Sequence, residues 1–308
     1  MPPIELSNDT LRVVLDPDNG CAITALELLH EHQWHPVLRP SGAGEGSFVM
    51  VPWTNRIQDA QFQFSAQTHQ LSPNHPDGSA IHGVGRDHAW GILDRSPYSV
   101  RCVIDSRSIE DVNFPYSFGA VIRVEIGAHR VEVDLDLTNL GDTPMPGGVG
   151  HHPYFMRSLW AEGDDLRVRA GVSGRYPCKD QIPTGATMVD DDVCRGLRDG
   201  GVIGNPGLDD VFGGFDGTAE LVWDKSGVRC VMECTEAFGH LVVFTPRDGN
   251  AESDPPLPWV CVEPVTMVNN GLNSSDPSAG VRAIEPNQTL STRMVLSFDC
   301  GIDHAAER

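Results

Sequence analysis

Three observations predict an all-β fold, a large antiparallel sandwich with few short helices. Apolar residues recur at every second position over several stretches. Gly 32 and Pro 23 supply enough turn residues to separate many short strands. Helical signals are confined to one short segment. The chain has 308 residues, more than the ~250–300 at which one core usually stops growing, yet β sandwiches run this long as one domain. No interdomain linker stands out, so a single domain over residues 1–308 is expected.

The elements follow in order. "IELSNDTLRVVLDPDNGCAITALEL" reads as three strands separated by two turns. "GAVIRVEIGAHRVEV" reads as a hairpin turning at Gly127–Ala128. "RVEVDLDLTNLG", Arg130 to Gly141, alternates Val131, Val133, Leu135 and Leu137 against Glu132, Asp134 and Asp136. That pattern is a half-buried antiparallel strand with a polar outer face. "DDDVCRGLRDG", Asp190 to Gly200, is the helix candidate, with acids at its start and glycine at its end. "AELVWDKSGVRCVMEC" repeats the hairpin pattern with "DKSG" as its turn, and "HLVVFTP", "WVCVEPV" and "TRMVLSF" add three strands. "DGNAESDPPLP", Asp248 to Pro258, is a polar loop within the domain.

Charge narrows the possible partners. Forty-three acidic against 22 basic residues give −21, which repels nucleic acid and anionic membranes. A phosphorylated substrate is disfavoured unless arginines cluster locally. No apolar run approaches the ~20 residues of a membrane span. The eight cysteines form no CxxC pair, and "MPPIELSND" lacks the basic and apolar regions of a leader. Reduced thiols and a cytoplasmic location are expected. Cys230 and Cys234 share a strand face, but a structural zinc site takes four ligands. No phosphate loop, dinucleotide fingerprint, HExxH or GxSxG is present, so no cofactor and no metal are expected.

Five stretches place reactive side chains in turn-rich or aromatic surroundings. "VPWTNRIQDAQFQF" carries Asn55 and Arg56, whose planar guanidinium suits paired oxygens. "AIHGVGRDHAWGIL" sets His82 beside a glycine, with Arg86 and Trp90 behind it. "GGVGHHPYF" places His151 and His152 after three glycines, and histidine is the side chain that titrates near neutral pH. "NPGLDDVFGGF" holds the pair Asp209 and Asp210. "PWVCVEPVTMVNNGLN" puts Glu263 inside an apolar strand, where burial is costly and raises a carboxyl pKa.

Taken together and in this order, "NRI", "HG" with Arg86 and Trp90, "GHHPYF", "LDDVF" and "CVEP" resemble the motifs of the aldose 1-epimerase (galactose mutarotase) family. They run from Asn55 to Glu263, and the strand pattern extends the likeness over nearly the whole chain. The resemblance implies a β supersandwich and an isomerase without a cofactor. It selects His152 over His151 and Asp209 over Asp210. It implies Glu263 and His152 as the acid–base pair, with His82 assisting. Arg56, Asp209, Asn55, Arg86 and Trp90 would hold the sugar, Trp90 by stacking. The implied partner is a monosaccharide, an aldohexose such as glucose or galactose, bound by a monomer or homodimer. Two positions depart from the family pattern: Val84 replaces a second glycine after "HG", and Pro264–Val265 replace Thr-Gln after the glutamate.

The glycines before His151 would leave room for the sugar, and Pro153 would fix the strand start at His152. Three other readings stay open. One is a hexose-6-phosphate epimerase of the same fold, which calls for basic residues around the site. A second is a glycoside hydrolase built on Asp209 and Glu263. The third is a sugar-binding protein without catalysis.

Overall fold

The computed structural model describes residues 1–40, 46–185, 187–201, 203, 207–249 and 254–301. Two large antiparallel sheets dominate. The ten-stranded sheet runs in the order Ile4–Ser7, Leu11–Asp16, Ala22–His30, Ser47–Met50, Gly150–Met156, Trp259–Val265, His240–Phe244, Asp209–Gly213 and Gly174–Arg175, with Gln33–Pro36 branching from Ala22–His30. The eight-stranded sheet runs Gly91–Arg95, Ser99–Asp105, Phe118–Ile126, Arg130–Asn139, Thr289–Cys300, Val228–Cys234, Thr218–Trp223 and Leu166–Ala170.

Period-two patterning explains the second sheet. In Phe118–Ile126 every second residue is buried, and Ile122 faces Leu135 across the hairpin. The inward residues of both sheets merge into one apolar cluster, with Leu6, Val13, Phe155, Leu241 and Val262 on one side and Ile122, Val133, Leu135 and Leu296 on the other. Each such side chain stabilises the fold by roughly 1.5–3 kcal/mol on burial. The two sheets are therefore held face to face by the same alternation that makes their strands.

The middle of the ten-stranded sheet departs from alternation. His240–Phe244 and Trp259–Val265 are almost continuously buried. Their second face carries a smaller cluster containing Phe48, Met50, Tyr176, Val211, Val242 and Val265. A polar group on that face is withdrawn from bulk water yet lies outside the main core.

The helix spans Asp192–Asp199; the Asp191 carboxylate accepts from the Val193 and Cys194 amides, and Gly200 closes it with φ 78°. Of the loop expected over Asp248 to Pro258, residues 250–253 lie outside the described residues. Among the described residues no helix is long and apolar enough to cross a membrane. All eight cysteines are free thiols.

Candidate active site

Strand register assembles the site. Phe48 lies opposite His152. Gly150 faces Val265 and Tyr154 faces Cys261, which sets Glu263 beside His152 between those pairs. Val242 faces Glu263 and Val211 faces Val242. Side chains alternate along strands, so these five residues form one row on the face turned away from the main core. Asp209, two residues before Val211, shares that face.

At the centre, His152 Nε2 lies 3.2 Å from Glu263 Oε1. Both side chains are buried. Burial pushes the Glu263 carboxyl well above its ordinary range; the Asp209 charge adds to this and Arg56 opposes it. Burial, followed by Arg86, pulls His152 down to about 3. The two directions agree: burial favours the uncharged form of both the carboxyl and the imidazole. The His152 ring is sandwiched by Phe48 at 4.5 Å and Tyr154 at 4.6 Å. His152 Nδ1 and Glu263 Oε2 have no hydrogen-bond partner among the described residues.

His82 stands edge-on to His152, ring centroids 5.1 Å apart. Its Nδ1 lies 3.0 Å from the Met50 sulfur, which leaves Nε2 for a ligand. Burial, with the neighbouring His152 and Arg86, holds its pKa well below the ordinary value. The following glycine is required: Gly83 has φ +71°, and a Cβ there would sit 2.2 Å from the Val51 carbonyl oxygen. Arg86 lays its guanidinium 4.0 Å over the Phe48 ring.

Arg56 is fixed before any ligand arrives. Its Nε donates to Asp77 at 2.9 Å and its Nη1 to the Asn55 side chain at 3.2 Å. Asn55 is buried, also accepts from the Arg56 amide, and holds the His82 amide through its carbonyl. It therefore orients Arg56 and the His82 loop. Asp210 is taken by Arg175 at 2.6 Å, whereas Asp209 faces the pair. Burial raises the Asp209 pKa, and Arg56 partly restrains that rise.

The aldose 1-epimerase family pattern matches residues 2–297. The chain belongs to the aldose 1-epimerase family. The Escherichia coli K12 protein YphB is 25% identical over 277 residues, covering 86% of this chain and 89% of its own length. A galactose mutarotase-like protein from Clostridium acetobutylicum superposes with a TM-score of 0.83 at 19% identity, over 97% of this chain and 95% of that one. A crystal structure from Escherichia coli K12 gives 0.81 at 21% identity, over 97% and 99%. At these identities the two structures establish the shared fold.

Within this epimerase the motifs converge, with corrections. Trp90 does not face a ligand: it is 1% exposed in the main core and donates from Nε1 to the Gly85 carbonyl at 2.8 Å. Its place is under the loop that carries Arg86. The glycines before His151 make no room for a sugar. A Cβ at Gly148 would meet the Met267 sulfur at 2.5 Å, and one at Gly150 would meet Val265 at 2.8 Å, so tight packing selects them. The strand begins at Gly150, not at His152. Val84 takes φ −120° and is buried, so nothing there demands a second glycine. Pro264 sits within its strand opposite Leu241.

Sequence reasoning missed Arg39 and Phe48. The Arg39 guanidinium lies 3.8 Å over Tyr154, and its amide donates to the Tyr154 carbonyl. Its only signal was a basic residue before Pro40 in an otherwise acidic chain. Phe48 lies in a four-residue strand buried throughout, which has no readable period.

Proposed function

We propose that this epimerase interconverts the α and β anomers of a free aldohexose such as glucose or galactose, with Glu263 and His152 as its acid–base pair. The 3.2 Å contact between the two, with their pKa values displaced in opposite directions, carries the reading. Mutarotation opens the ring, turns the aldehyde about C1–C2 and recloses the ring on the other face. Opening needs a base at the O1 hydroxyl and an acid at the ring oxygen. Both oxygens are bonded to C1, so the acid and the base must be near neighbours.

One shared proton suffices. The sugar inserts between the side chains, and its O1 hydroxyl donates to Glu263. That hydrogen bond favours the carboxylate and sends the resident proton to His152. Glu263 then takes the O1 proton while His152 protonates the ring oxygen. Closure reverses both transfers on the opposite face and restores the pair. His82 accepts a hydroxyl or assists at the ring oxygen, and Arg56, Arg86 and Asp209 hold hydroxyls by charge-assisted hydrogen bonds. Asn55 acts through Arg56.

A hexose 6-phosphate is the second reading, favoured by the placement of Arg39 and Arg86 around His152, both of which depress its pKa. A glycosidase is not favoured, because the group in contact with Glu263 is an imidazole. The test follows the optical rotation of fresh α-D-glucose, α-D-galactose and α-D-glucose 6-phosphate with wild type and Glu263→Gln. Faster relaxation with wild type alone supports the proposal, and the sugar most accelerated identifies the substrate. No acceleration of any of the three would leave a sugar-binding protein as the better reading.

A further inference from the structure

The face that carries the acid–base pair holds a third reactive group. Cys261 precedes Glu263 by two residues and projects to the same side, opposite Tyr154. It is fully buried, and burial keeps its thiol protonated. Donor atoms of His152, Cys261 and Glu263 all lie within 4.8 Å of one another. A cation bound at ~2.0–2.3 Å from nitrogen, sulfur and oxygen needs its ligands somewhat closer than this. Side-chain rotations closing the triad by about 1 Å would meet that geometry. Glu263 Oε2 is buried and has no hydrogen-bond partner among the described residues, so one ligand is already free.

We infer that His152, Cys261 and Glu263 form a binding site for a thiophilic divalent cation of the zinc–cadmium class, and that its occupancy blocks epimerisation. The donor set of one imidazole, one thiolate and one carboxylate suits such an ion rather than magnesium or calcium, which prefer all-oxygen shells. Three protein ligands leave a fourth position for water. Charge balances: the thiol and the carboxyl each release a proton to solvent, and the two resulting negative charges meet the dication. The ion then holds both groups that must exchange protons with the sugar. Inhibition rests on the acid–base reading above, whereas binding does not, so the two are measured separately.

Binding is read with Cd2+ added to the metal-free full-length protein, through the ultraviolet thiolate-to-metal charge-transfer band. Wild type should show a band that Cys261→Ala loses, while Cys178→Ala, which removes an exposed thiol, keeps it. Circular dichroism confirms that the variants fold. Inhibition is read with Zn2+ in the optical-rotation assay on the sugar most accelerated. Zn2+ should abolish the acceleration, EDTA should restore it, and Cys261→Ala should raise the half-inhibiting concentration by at least about tenfold. An identical Cd2+ band in wild type and Cys261→Ala would overturn the site. Unchanged Zn2+ sensitivity in that variant would overturn the inhibitory role.

Discussion

His151 and His152 are neighbours on one strand and both are buried, yet they face different surroundings. His151 points into the main core, its ring 5.7 Å from Phe238 and its Nε2 without a partner among the described residues. His152 points to the opposite face, against Glu263. Burial depresses both imidazoles, to about 4 and about 3. A displaced pKa therefore marks withdrawal from water on either side of the sheet. What separates the two is a counterpart able to trade a proton. Asp209 and Asp210 repeat the lesson on another strand: one faces the pair, and the other is committed to Arg175.

The largest expected effect tests the first contrast. An acid–base partner contributes ~10²–10⁴-fold, so His152→Ala and Glu263→Gln should each lower kcat by about that factor, measured by polarimetry. His151→Leu should stay near wild type. Comparable losses at His151 and His152 would break the distinction between the two faces. Next comes Asp209→Asn. Removing the charge from a charge-assisted hydrogen bond costs about 1.5–3 kcal/mol, so kcat/KM should fall by about 10–150-fold. A change below twofold would remove Asp209 from sugar binding.

The contrast between faces also explains what was legible in the sequence. Strands wetted on one face print their alternation, so Phe118–Ile126, Arg130–Asn139 and the Thr218–Cys234 hairpin were readable. Trp259–Val265 is covered on both faces and appeared as an apolar run whose single acid was conspicuous. Ser47–Met50 is too short to show any period, and Phe48 was lost with it. Motif order named Glu263, His152, His82, Arg56 and Asp209 as candidates. It gave Trp90 the wrong face, because a tryptophan near a binding loop has the same spelling whether it stacks on a ligand or supports the loop from below. Arg39 belongs to no motif; register with Tyr154 brings it in.

Acid sensitivity should separate the faces by stability. The ordinary histidine pKa of 6.5 falls to about 4 at His151. Between those values the unfolded chain binds more protons than the native one, so stability falls as pH drops through that window. Glu263 and Asp209 are raised, so each contributes a term of opposite sign, weakening the fold as pH rises above the ordinary carboxylate range. His151→Leu isolates the His151 term, because His82, His152 and His240 are lowered as well and persist in both proteins. Urea unfolding from pH 7 to pH 5 should show the variant gaining on wild type by up to ~1.4 kcal/mol per pH unit. Parallel pH profiles would mean that His151 is not buried as a neutral imidazole.

Asp210→Asn should have the smallest effect. Arg175 bridges Asp210 and Asp191, and Asp191 caps the helix Asp192–Asp199. The aspartate thus ties the edge of the ten-stranded sheet to a helix start, from the strand position next to Asp209. Arg175 keeps Asp191 at 2.6 Å when Asp210 is neutralised, so half of the bridge survives. A partly exposed pair is worth ~0–1 kcal/mol and is screened by salt. Thermal unfolding should therefore show a small loss for Asp210→Asn that shrinks further at high ionic strength, with kcat/KM unchanged. If Asp210→Asn weakened kcat/KM as much as Asp209→Asn, the sugar would be held by both acids, and the bridge to Arg175 would have to open when it binds.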